Sequence, residues 1–389
     1  MKRTENEVKK KYLFAAALGA VAGVVTYRLG KKSREGREDS FRLRPGVPEN
    51  DPESVLGCDQ EYNVDKNKKV RVLITGSGSY IGESFKSYAE QHYPNIECSV
   101  LDMKDPGWRN HPFKYTTESG EQRAYDCVFH VAGIAHSEIS TPSEGDIERY
   151  YRINTDLAVE TAKRAKECGV RQFIFMSSMI IYGSCEQVTR STIPRPANFY
   201  GDSKWQADRG VRALDSRIST SDGENSSTGK RGHRGSGEQE FNVAVLRPPM
   251  IYGRNSRGNY PSLSKIAKVT PVFPKVSNTR SMLYIENLCE FVSQLMLSGS
   301  GGVFMPQNRE YSDTGSLVQM IGTVSGKHVR LSKVLSSAVV VAKHVPIGKI
   351  RNLAGKAFGS SWYVQELSKY RGLDYQVVGL EESIRRTEV

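Results

Sequence analysis

The stretch that most constrains this fold is KVRVLITGSGSYIG, at residues Lys69–Gly82. A short apolar strand pattern ends at Thr75, and glycines at positions 76, 78 and 82 then lead into a helical pattern. Glycines let the backbone approach a pyrophosphate, and a helix N-terminus supplies free N–H donors and a positive dipole. The stretch therefore predicts a dinucleotide-binding turn, although a purely structural glycine turn would share the pattern. The residues predicted to contact the dinucleotide are Gly76, Gly78, Ser79, Tyr80, Ile81 and Gly82.

A second strand pattern follows at Ile96–Asp102, and Asp102 ends it 20 residues after Gly82. A carboxylate at this point would bond the adenosine ribose hydroxyls and repel a 2′-phosphate, which favours NAD over NADP. Lys104 stands close by and weakens that preference. An ordinary turn residue at the end of a strand is the alternative for Asp102.

The mostly apolar run DCVFHVAG, at Asp126–Gly133, predicts a buried strand that ends in small residues. Ala132 and Gly133 suit a backbone that passes close under a flat cofactor. Asn154 lies in the helical stretch that follows and could bond that backbone. These three residues are therefore predicted to belong to the cofactor site. A solvent-facing or core polar residue is the alternative for Asn154.

The residues that carry chemistry follow another apolar strand pattern, Gln172–Gly183, which contains Ser177 and Ser178. Tyr200 and Lys204 come next and stand four residues apart, so they share one face of a helix. A free tyrosine has a pKa of about 10, and a nearby ammonium lowers it, so that the phenol can take and return an alcohol proton. A serine hydroxyl beside the same substrate oxygen can hold it and relay the proton. A surface helix pair is the alternative that the spacing alone leaves open.

Together these motifs resemble those of the extended short-chain dehydrogenases/reductases, and in particular the NAD-dependent epimerase/dehydratase group that acts on nucleotide sugars. The resemblance covers roughly residues 69–388. TGSGSYIG is similar to the family's TGxxGxxG turn, with Ser79 in place of the middle glycine and Gly78 one position earlier. LRPPMIYG, at Leu246–Gly253, looks like the family's LRxxxVYG, and EESIRRTE resembles its last helix.

The resemblance implies that Ser178, Tyr200 and Lys204 are the catalytic residues. Ser178 and Tyr200 would contact the substrate. Tyr200 and Lys204 would also contact the cofactor, where Lys204 would hold the nicotinamide ribose. The segment TRSMLYIENLCEF resembles the one whose arginine contacts the phosphates of a sugar nucleotide, which places Arg280 at the substrate. Asn259 opens the second lobe and is expected to meet the substrate nucleotide.

We therefore expect an NAD-dependent nucleotide-sugar epimerase that acts at C4 of a UDP-hexose through a transient keto-sugar. The family's 4,6-dehydratases carry an Asp-Glu pair right after the catalytic serine or threonine, and Met179 and Ile180 occupy those positions here. A nucleotide 4-keto-sugar reductase is the main alternative. A non-catalytic NAD-binding regulator or scaffold is the alternative from another class, and the intact set of three catalytic residues argues against it. A homodimer is a further expectation.

At 389 residues, the chain is long enough for one large enzyme domain with appendages. Alternating strand and helix patterns predict an α/β fold, a doubly wound (Rossmann) parallel sheet with a smaller C-terminal substrate-binding lobe.

The polar tract Arg217–Gln239 predicts a disordered insertion. The six cysteines are scattered, and no cluster of His, Asp or Glu suggests a metal. The predicted division is 1–32 for a basic-flanked apolar segment, 33–68 for a polar linker, 69–250 for the NAD-binding domain and 251–389 for the substrate lobe.

The formal net charge of +12 would suit a nucleic-acid partner, but the sequence contains no nucleic-acid-binding module. We therefore expect no nucleic-acid partner. About half of the excess lies in the first 50 residues, where basic clusters flank the apolar run Tyr12–Tyr27. Terminal tyrosines with basic flanks are typical of interfacial anchoring, although the run is shorter than the roughly 20 residues that a bilayer needs. We therefore expect a cytoplasmic catalytic domain that residues 12–27 tether to the membrane, with a soluble or disordered leader as the alternative.

Overall fold

A computed structural model describes the chain over residues 42–51, 55–134, 143–218, 240–336 and 358–389. The predicted membrane segment at residues 12–27 lies outside the described residues, as do residues 219–239 of the predicted insertion. In the described ranges, no helix combines the length and the apolar character that crossing a bilayer requires.

Strands and helices alternate along much of the described chain. The strands are β1 (Val70–Thr75), β2 (Ile96–Leu101), β3 (Lys114–Thr116), β4 (Gln122–Ala124), β5 (Cys127–His130), β6 (Gln172–Met176), β7 (Gln187–Val188), β8 (Asn242–Leu246), β9 (Met250–Tyr252), β10 (Val272–Pro274), β11 (Met282–Tyr284), β12 (Gly302–Phe304), β13 (Arg330–Ser332) and β14 (Trp362–Tyr363). The α-helices are α1 (Tyr80–His92), α2 (Glu144–Tyr151), α3 (Leu157–Glu167), α4 (Phe199–Arg212), α5 (Asn259–Val269), α6 (Ile285–Ser298), α7 (Thr314–Val324) and α8 (Leu380–Glu388). Shorter turns are a π-helix at Arg152–Asp156 and 3₁₀-helices at Gly57–Asp59, Pro106–Asn110, Met179–Tyr182 and Gln365–Ser368.

Six of the described strands form one parallel sheet in the order β12-β8-β6-β5-β1-β2. The chain first runs outward from β1 to β2 and then crosses to the other side of β1, where β5 begins the second half. In such sheets, ligands bind beyond the carboxyl ends of the strands at the point where the strand order reverses. The predicted doubly wound fold is therefore confirmed, and its switch point lies between β1 and β5.

Helices cover both faces of this sheet, and its central strands are accordingly apolar along nearly their whole length. β5 and β6 are buried at every residue. Val72 and Ile74 of β1 pack into a cluster with α6, whereas Leu73 packs on the other face with α3 and α4. Burying one such side chain stabilises the fold by about 1.5–3 kcal/mol. The strand ends that carry the site are therefore held between two helical layers.

The second lobe is interleaved with the first. The pairs β9–β11 and β10–β13 build it with α5 and α7, whereas β12 returns to the large sheet and α6 covers that sheet beside α1. The two predicted lobes therefore share a core, because the apolar face of α6 is buried on the sheet of the first lobe.

Part of the predicted linker at 33–68 is also packed structure. The N–H of Val303 donates to the carbonyl of Val55 at 3.0 Å, so this segment pairs with the edge strand β12. Tyr62 is buried and meets the ring of Tyr370 edge to face. A few apolar residues hold this segment against the rest of the fold. The residues around them are polar, so the composition predicted a linker.

Candidate active site

The predicted glycine turn connects β1 to α1 at the switch point. Gly76 has a φ of +102°, and a Cβ placed on it would lie 2.9 Å from the backbone of Ala132. Its N–H donates to the carbonyl of Leu101 at the end of β2, at 3.1 Å. The turn therefore packs directly against the chain beyond β5, and only glycine allows that approach.

Ser79, which replaces the middle glycine of the family pattern, caps α1. Its backbone is extended (φ −78°, ψ 136°), and its hydroxyl accepts the N–H of Gly82 at 3.1 Å. A cap of this kind stabilises a helix by about 1 kcal/mol. Gly82 makes room for the cap, since a Cβ there would lie 2.6 Å from that hydroxyl. Serine is thus compatible with the shape of the turn.

The chain itself takes up part of the hydrogen-bonding capacity of this turn. The N–H of Gly78 donates to Oε1 of Glu83 at 3.3 Å, a carboxylate that the sequence analysis did not single out. Tyr80 and Ile81 turn their side chains toward the apolar core, and Tyr80 reaches Gly253 of the second lobe. A dinucleotide at this turn would therefore meet the backbone of these two residues rather than their side chains.

Asp102 is exposed just beyond β2. Its Oδ1 accepts the N–H of Lys104 at 3.0 Å. Because β2 pairs in parallel with β1, the carboxylate lies at the same edge of the sheet as the glycine turn. The structure thus brings Asp102 to the edge at which ribose recognition is predicted.

Asn154 fixes the chain just beyond β5, where the sequence predicts a backbone contact. It is buried in the π-helical turn; its Oδ1 accepts the N–H of Ile134 at 2.9 Å, and its Nδ2 donates to the carbonyl of Ile134 at 3.1 Å. Nδ2 also donates to Oγ of Ser203 on α4, at 3.1 Å. A Cβ on Gly133 would lie 3.1 Å from Asn154 Oδ1 and 3.2 Å from Lys204 Nζ, which explains the small residue at this point.

Tyr200 and Lys204 lie in the first turns of α4. A Cβ on Gly201 would lie 3.1 Å from the carbonyl of Ile180, so the start of this helix sits against the 3₁₀ turn that follows β6. Ser178 caps that turn, and its Oγ accepts the N–H of Ile180 at 3.3 Å. The structure therefore brings the segments of all three predicted catalytic residues together at the carboxyl end of the sheet.

The side chain of Lys204 is buried and crosses from α4 to β6. Its Nζ donates to the carbonyl of Met176 at 3.0 Å and lies 5.3 Å from the centroid of the Phe175 ring. Burial lowers the pKa of Lys204 to about 8. The ammonium of Lys204 thus lies between the carboxyl ends of β5 and β6.

The pKa of Tyr200 differs from the prediction. Burial, and then the neighbouring phenol of Tyr150, raises it to about 12. The two rings meet edge to face with their centroids 6.0 Å apart. The predicted lowering of this pKa by Lys204 is therefore wrong in this structure, because the ammonium is directed to the carbonyl of Met176.

Asp208 is a residue of the site that the sequence analysis missed. It is fully buried on α4 and accepts two hydrogen bonds from Arg247 and one from Arg212, each at 2.8 Å. Burial alone would raise the pKa of Asp208, but the two guanidinium groups outweigh it and lower the pKa. Asp208 stands four residues after Lys204, so helical spacing was the signal that could have revealed it.

This ion-pair cluster separates the roles of the two adjacent serines. The hydroxyl of Ser177 donates to Oδ2 of Asp208 at 2.8 Å, and the residue is buried. Ser178, by contrast, is only partly buried at the start of its turn. Ser177 is therefore bound within the cluster, and Ser178, the predicted catalytic serine, is the more exposed of the two.

His130 ends β5 in the interior, between the site and the core. Its Nδ1 lies 2.8 Å from Oγ1 of Thr75, and its ring stacks with those of Phe173 and Phe175. Burial, and then the charge of Lys204, lowers its pKa to about 3. His130 is therefore neutral at physiological pH, and it adds no positive charge to that of the ammonium.

Arg280 comes from the second lobe. The N–H of its neighbour Ser281 donates to the carbonyl of Ser361 at 3.0 Å, and Oγ of Ser361 donates to the sulfur of Met179 at 3.3 Å. Burial lowers the pKa of Arg280. The segment of this arginine thus adjoins the turn that Ser178 caps.

The remaining predicted substrate residue, Asn259, is exposed at the first position of α5. Within the described part of the chain, its side chain makes no hydrogen bond. A groove of about 480 Å³ lies between α1 and the second lobe. Its lining comprises Tyr80, Ser84, Arg254, Tyr284, Ile285, Glu286, Arg386 and Val389, so it includes neither Asn259 nor Arg280.

A model of the NAD dependent epimerase/dehydratase family matches residues 72–304 of this chain. The match runs from β1 to β12 and includes the glycine turn, Ser178, Tyr200, Lys204 and Arg280. It covers more than half of the chain and all of the strands in the large sheet.

Two curated relatives are epimerases by name. The N-acetyl-alpha-D-glucosaminyl-diphospho-ditrans,octacis-undecaprenol 4-epimerase of Escherichia coli O157:H7 is 24% identical over 244 residues, which cover 59% of this chain and 64% of that protein. The UDP-glucose 4-epimerase of Vibrio cholerae is 26% identical over 251 residues, which cover 59% of this chain and 67% of that protein. The chain thus spans about two thirds of the length of these relatives.

Among solved structures, the UDP-glucose 4-epimerase of Thermus thermophilus in complex with NAD is similar with a TM-score of 0.54. The likeness covers 82% of this chain and 97% of that one at 16% identity, so it supports the fold alone.

Proposed function

This chain belongs to the NAD-dependent epimerase/dehydratase family, and we propose that it is an epimerase that inverts C4 of a UDP-linked hexose. One observation supports the proposal: Tyr200 is the single acid/base that we assign to the site, and its helix begins against the turn that Ser178 caps. Met179 and Ile180 follow that serine, where elimination of water would need a second acid/base pair. A site of this kind can oxidise and reduce one carbon but has no group to drive dehydration.

NAD is the cofactor of this family, and the residues at the switch point fit it. Gly76 lets the turn approach a pyrophosphate, Gly133 leaves room beside the ammonium of Lys204, and Asp102 lies at the edge where an adenosine ribose would be bound. When bound, NAD would supply a hydride acceptor and, in its oxidised form, a positive ring charge.

Each chemical role then falls to a residue of this chain. Ser178 orients the C4 hydroxyl, and Tyr200 takes its proton as the carbon loses hydride and becomes a ketone. Lys204, whose ammonium donates to the carbonyl of Met176 in this structure, would hold a ribose hydroxyl of the dinucleotide. The positive ring charge of oxidised NAD, close to the phenol, would oppose the effect of burial on the pKa of Tyr200. Return of hydride and proton to the turned keto-sugar yields the C4 epimer.

The carrier of the sugar is proposed from the chemistry of the relatives and of Arg280. Both named relatives have the sugar on a diphosphate, in UDP in one case and in undecaprenyl diphosphate in the other. A guanidinium binds phosphate oxygens in a bidentate manner. We therefore assign Arg280 to the diphosphate and Asn259 to the nucleotide beyond it.

The test is incubation of the purified full-length protein with a panel of UDP-hexoses and one polyprenyl-diphosphate sugar, while the absorbance of reduced nicotinamide is followed. We expect interconversion of a pair that differs at C4, with no net change in NAD and no loss of water. Stoichiometric oxidation of added NADH or NADPH would instead identify a 4-keto-sugar reductase. No reaction with any sugar, with NAD still bound, would identify a regulator or scaffold.

A further inference from the structure

A π-helical turn at Arg152–Asp156 joins α2 to α3 and contacts α4, the helix that carries the proposed acid/base. Along this joined helix, the buried side chains come in adjacent pairs that recur every four residues: Tyr150 and Tyr151, Asn154 and Thr155, Ala158 and Val159. A stripe with that repeat drifts around an α-helix, which turns about every 3.6 residues. The wider π turn takes up this drift, and such turns are frequent at functional sites.

The π turn brings two consecutive side chains to one residue of α4, Ser203. Oγ1 of Thr155 donates to the carbonyl of Ser203 at 2.7 Å, and Nδ2 of Asn154 donates to its hydroxyl at 3.1 Å. That hydroxyl in turn donates to the carbonyl of Tyr200 at 2.9 Å. Ser203 is completely buried, so these hydrogen bonds replace those that water would supply.

Ser203 stands between Tyr200 and Lys204 in the first turns of α4. Its partner Asn154 also holds the chain beyond β5, because the Asn154 amide bonds both the N–H and the carbonyl of Ile134. The dinucleotide is expected to lie over this part of the chain. The contact between Asn154 and Ser203 therefore joins the floor of the cofactor site to the helix of the acid/base.

The hydroxyl of Ser203 matters because of what its loss would do to Asn154. Without it, one amide hydrogen of Asn154 would lose its acceptor in the protein interior, and a buried donor without an acceptor is unfavourable. We therefore expect the amide to turn toward another acceptor. Because the same amide bonds Ile134, the chain beyond β5 would lose order together with it.

We propose that Ser203 is a positioning residue: through Asn154 it fixes the distance between α4 and the chain beyond β5, and with it the place of Tyr200 relative to a bound dinucleotide. The proposed reaction removes a hydride from a sugar carbon and a proton from the hydroxyl of that carbon. The hydride acceptor and the phenol must therefore be within reach of the sugar at the same time. The catalytic part of this inference rests on the proposed epimerase function, whereas the ordering of Ile134 by Ser203 does not.

The first test compares Ser203→Ala with Ser293→Ala in the full-length protein. Ser293 is the matched control, because it is a completely buried serine of α6 whose hydroxyl donates to the carbonyl of Cys289 at 2.9 Å. Hydrogen exchange at the amide of Ile134, which donates to Asn154, should become about tenfold faster in Ser203→Ala and stay unchanged in Ser293→Ala. Equal exchange rates at Ile134 in the two variants would overturn the proposal, whether or not the protein is an epimerase.

The second test measures turnover well below the melting temperature. Misplacing a reacting group costs rate rather than binding, so Ser203→Ala should lower kcat about tenfold and leave KM and the Kd for NAD within about twofold. A Ser203→Ala variant that melts earlier but keeps the kcat of the unmodified protein would show that Ser203 is only structural.

Thr155→Val gives a milder test if Ser203→Ala folds poorly. Valine keeps the shape of the side chain and removes only the hydroxyl that donates to the carbonyl of Ser203. Thr161→Val is the matched control, since Thr161 is also completely buried and its hydroxyl donates to the carbonyl of Leu157 at 2.6 Å. We expect Thr155→Val to speed exchange at Ile134 about threefold, and the same rate in both threonine variants would contradict the proposal.

A double-mutant cycle tests whether the effect of Ser203 passes through Asn154. Asn154→Ala already removes the contact, so adding Ser203→Ala to that variant should cost little more in kcat or in exchange at Ile134. Additive effects of the two substitutions would contradict the proposed route. Absence of turnover in the unmodified protein, with exchange at Ile134 still dependent on Ser203, would count against the proposed function and not against the positioning role.

Discussion

At the scale of single residues, Lys204 is a buried cation at the predicted active site. Its Nζ has the carbonyl of Met176 as a hydrogen-bond acceptor, and burial lowers its pKa from 10.5 to about 8. Natural proteins tolerate such destabilising groups where activity requires them. The same reasoning applies to the phenol of Tyr200, which burial makes a weaker acid.

We predict that Lys204→Met stabilises the protein at pH 7. The difference between a pKa of 10.5 and one of about 8 corresponds to a cost of at most about 3 kcal/mol. Below pH 8 both the native and the unfolded state bind the proton, so the cost is fully present. Between pH 8 and 10.5 the native state releases it first, so the stability of the unmodified protein rises with pH and the advantage of the variant shrinks.

Thermal unfolding of the variant at pH 7 and pH 10 measures this effect. Lys265→Met, on the exposed surface of α5, is the control and should change little at either pH. A Lys204→Met variant that is less stable than the unmodified protein at pH 7 would contradict the prediction.

Tyr200→Phe should abolish turnover and leave NAD binding nearly intact, because only the phenol oxygen is lost. Proton transfer by a positioned group contributes roughly 10²–10⁴-fold, so we expect kcat to fall by that factor. In the unmodified protein, kcat should rise with pH near neutrality, since the pKa of about 12 leaves the phenol mostly protonated. Tyr115→Phe serves as the control, and a Tyr200→Phe variant with most of its activity would place the base elsewhere.

Asp102→Ala should narrow the preference for NAD over NADP. A carboxylate at the end of β2 repels the 2′-phosphate of NADP, and alanine removes that repulsion together with the bond to the ribose hydroxyls. Titration of both dinucleotides, followed by protein fluorescence, gives the two affinities. Glu90→Ala, near the far end of α1, should leave their ratio unchanged. Equal affinities in the unmodified protein would refute this role of Asp102.

At the scale of elements, the site depends on what meets at the ends of β1, β5 and β6. The turn after β1 touches the chain beyond β5 at Gly76, and α4 touches the turn after β6 at Gly201. The approach at Gly76 requires the absence of a side chain, because its φ is +102° and a Cβ would lie 2.9 Å from the backbone of Ala132, whereas a Cβ on Gly201 would make a tight contact of 3.1 Å. The stems of the predicted insertion follow α4 and precede β8, where the N–H of Ser216 donates to the carbonyl of Phe241 at 3.0 Å. This hydrogen bond closes the base of the insertion.

Deleting Thr220–Glu238 should therefore change the melting temperature little. The stems are already paired, and the entropy of closing a flexible loop depends only weakly on its length. Differential scanning calorimetry of the deletion and the unmodified protein measures the effect. A loss of many degrees would mean that the tract is packed against the rest of the protein.

At the scale of the whole molecule, the two lobes are interleaved and the N-terminal part is built into the first. Residues 42–51 cross α4, where Gln206 donates to the carbonyl of Arg42, and Val55 pairs with the edge strand β12. Any tether at residues 12–27 would therefore precede a segment that is hydrogen-bonded to α4, the helix of Tyr200 and Lys204. Removal of residues 1–40 would leave residues 42–51 in place.

We predict that the full-length protein fractionates with membranes and that the version without residues 1–40 is soluble and active. The apolar run with basic flanks is the physical reason, since such segments bind the bilayer interface. Sedimentation of membranes before and after a carbonate wash, with activity measured in each fraction, is the test. Recovery of the full-length protein in the soluble fraction would show that the run is not an anchor.

Much of this protein follows from its sequence, because the determining features are local. The glycine turn, the strand that ends at Ser178 and the helical spacing of Tyr200 and Lys204 each depend on residues near one another in the chain. They predicted the doubly wound fold and NAD, both confirmed, and they predicted three catalytic residues whose segments the structure brings to one edge of the sheet.

Tertiary structure alone decided the rest, because those features join residues far apart in the chain. Asp208 meets Arg247 across 39 residues, and Arg212 meets Asp51 across 161. Burial, which residue spacing does not reveal, raises the pKa of Tyr200 above its ordinary value. The folded chain also places the ammonium of Lys204 against the carbonyl of Met176. The return of β12 to the first sheet and the seat of Val47 beside Gly210 depend in the same way on packing that only the folded chain creates.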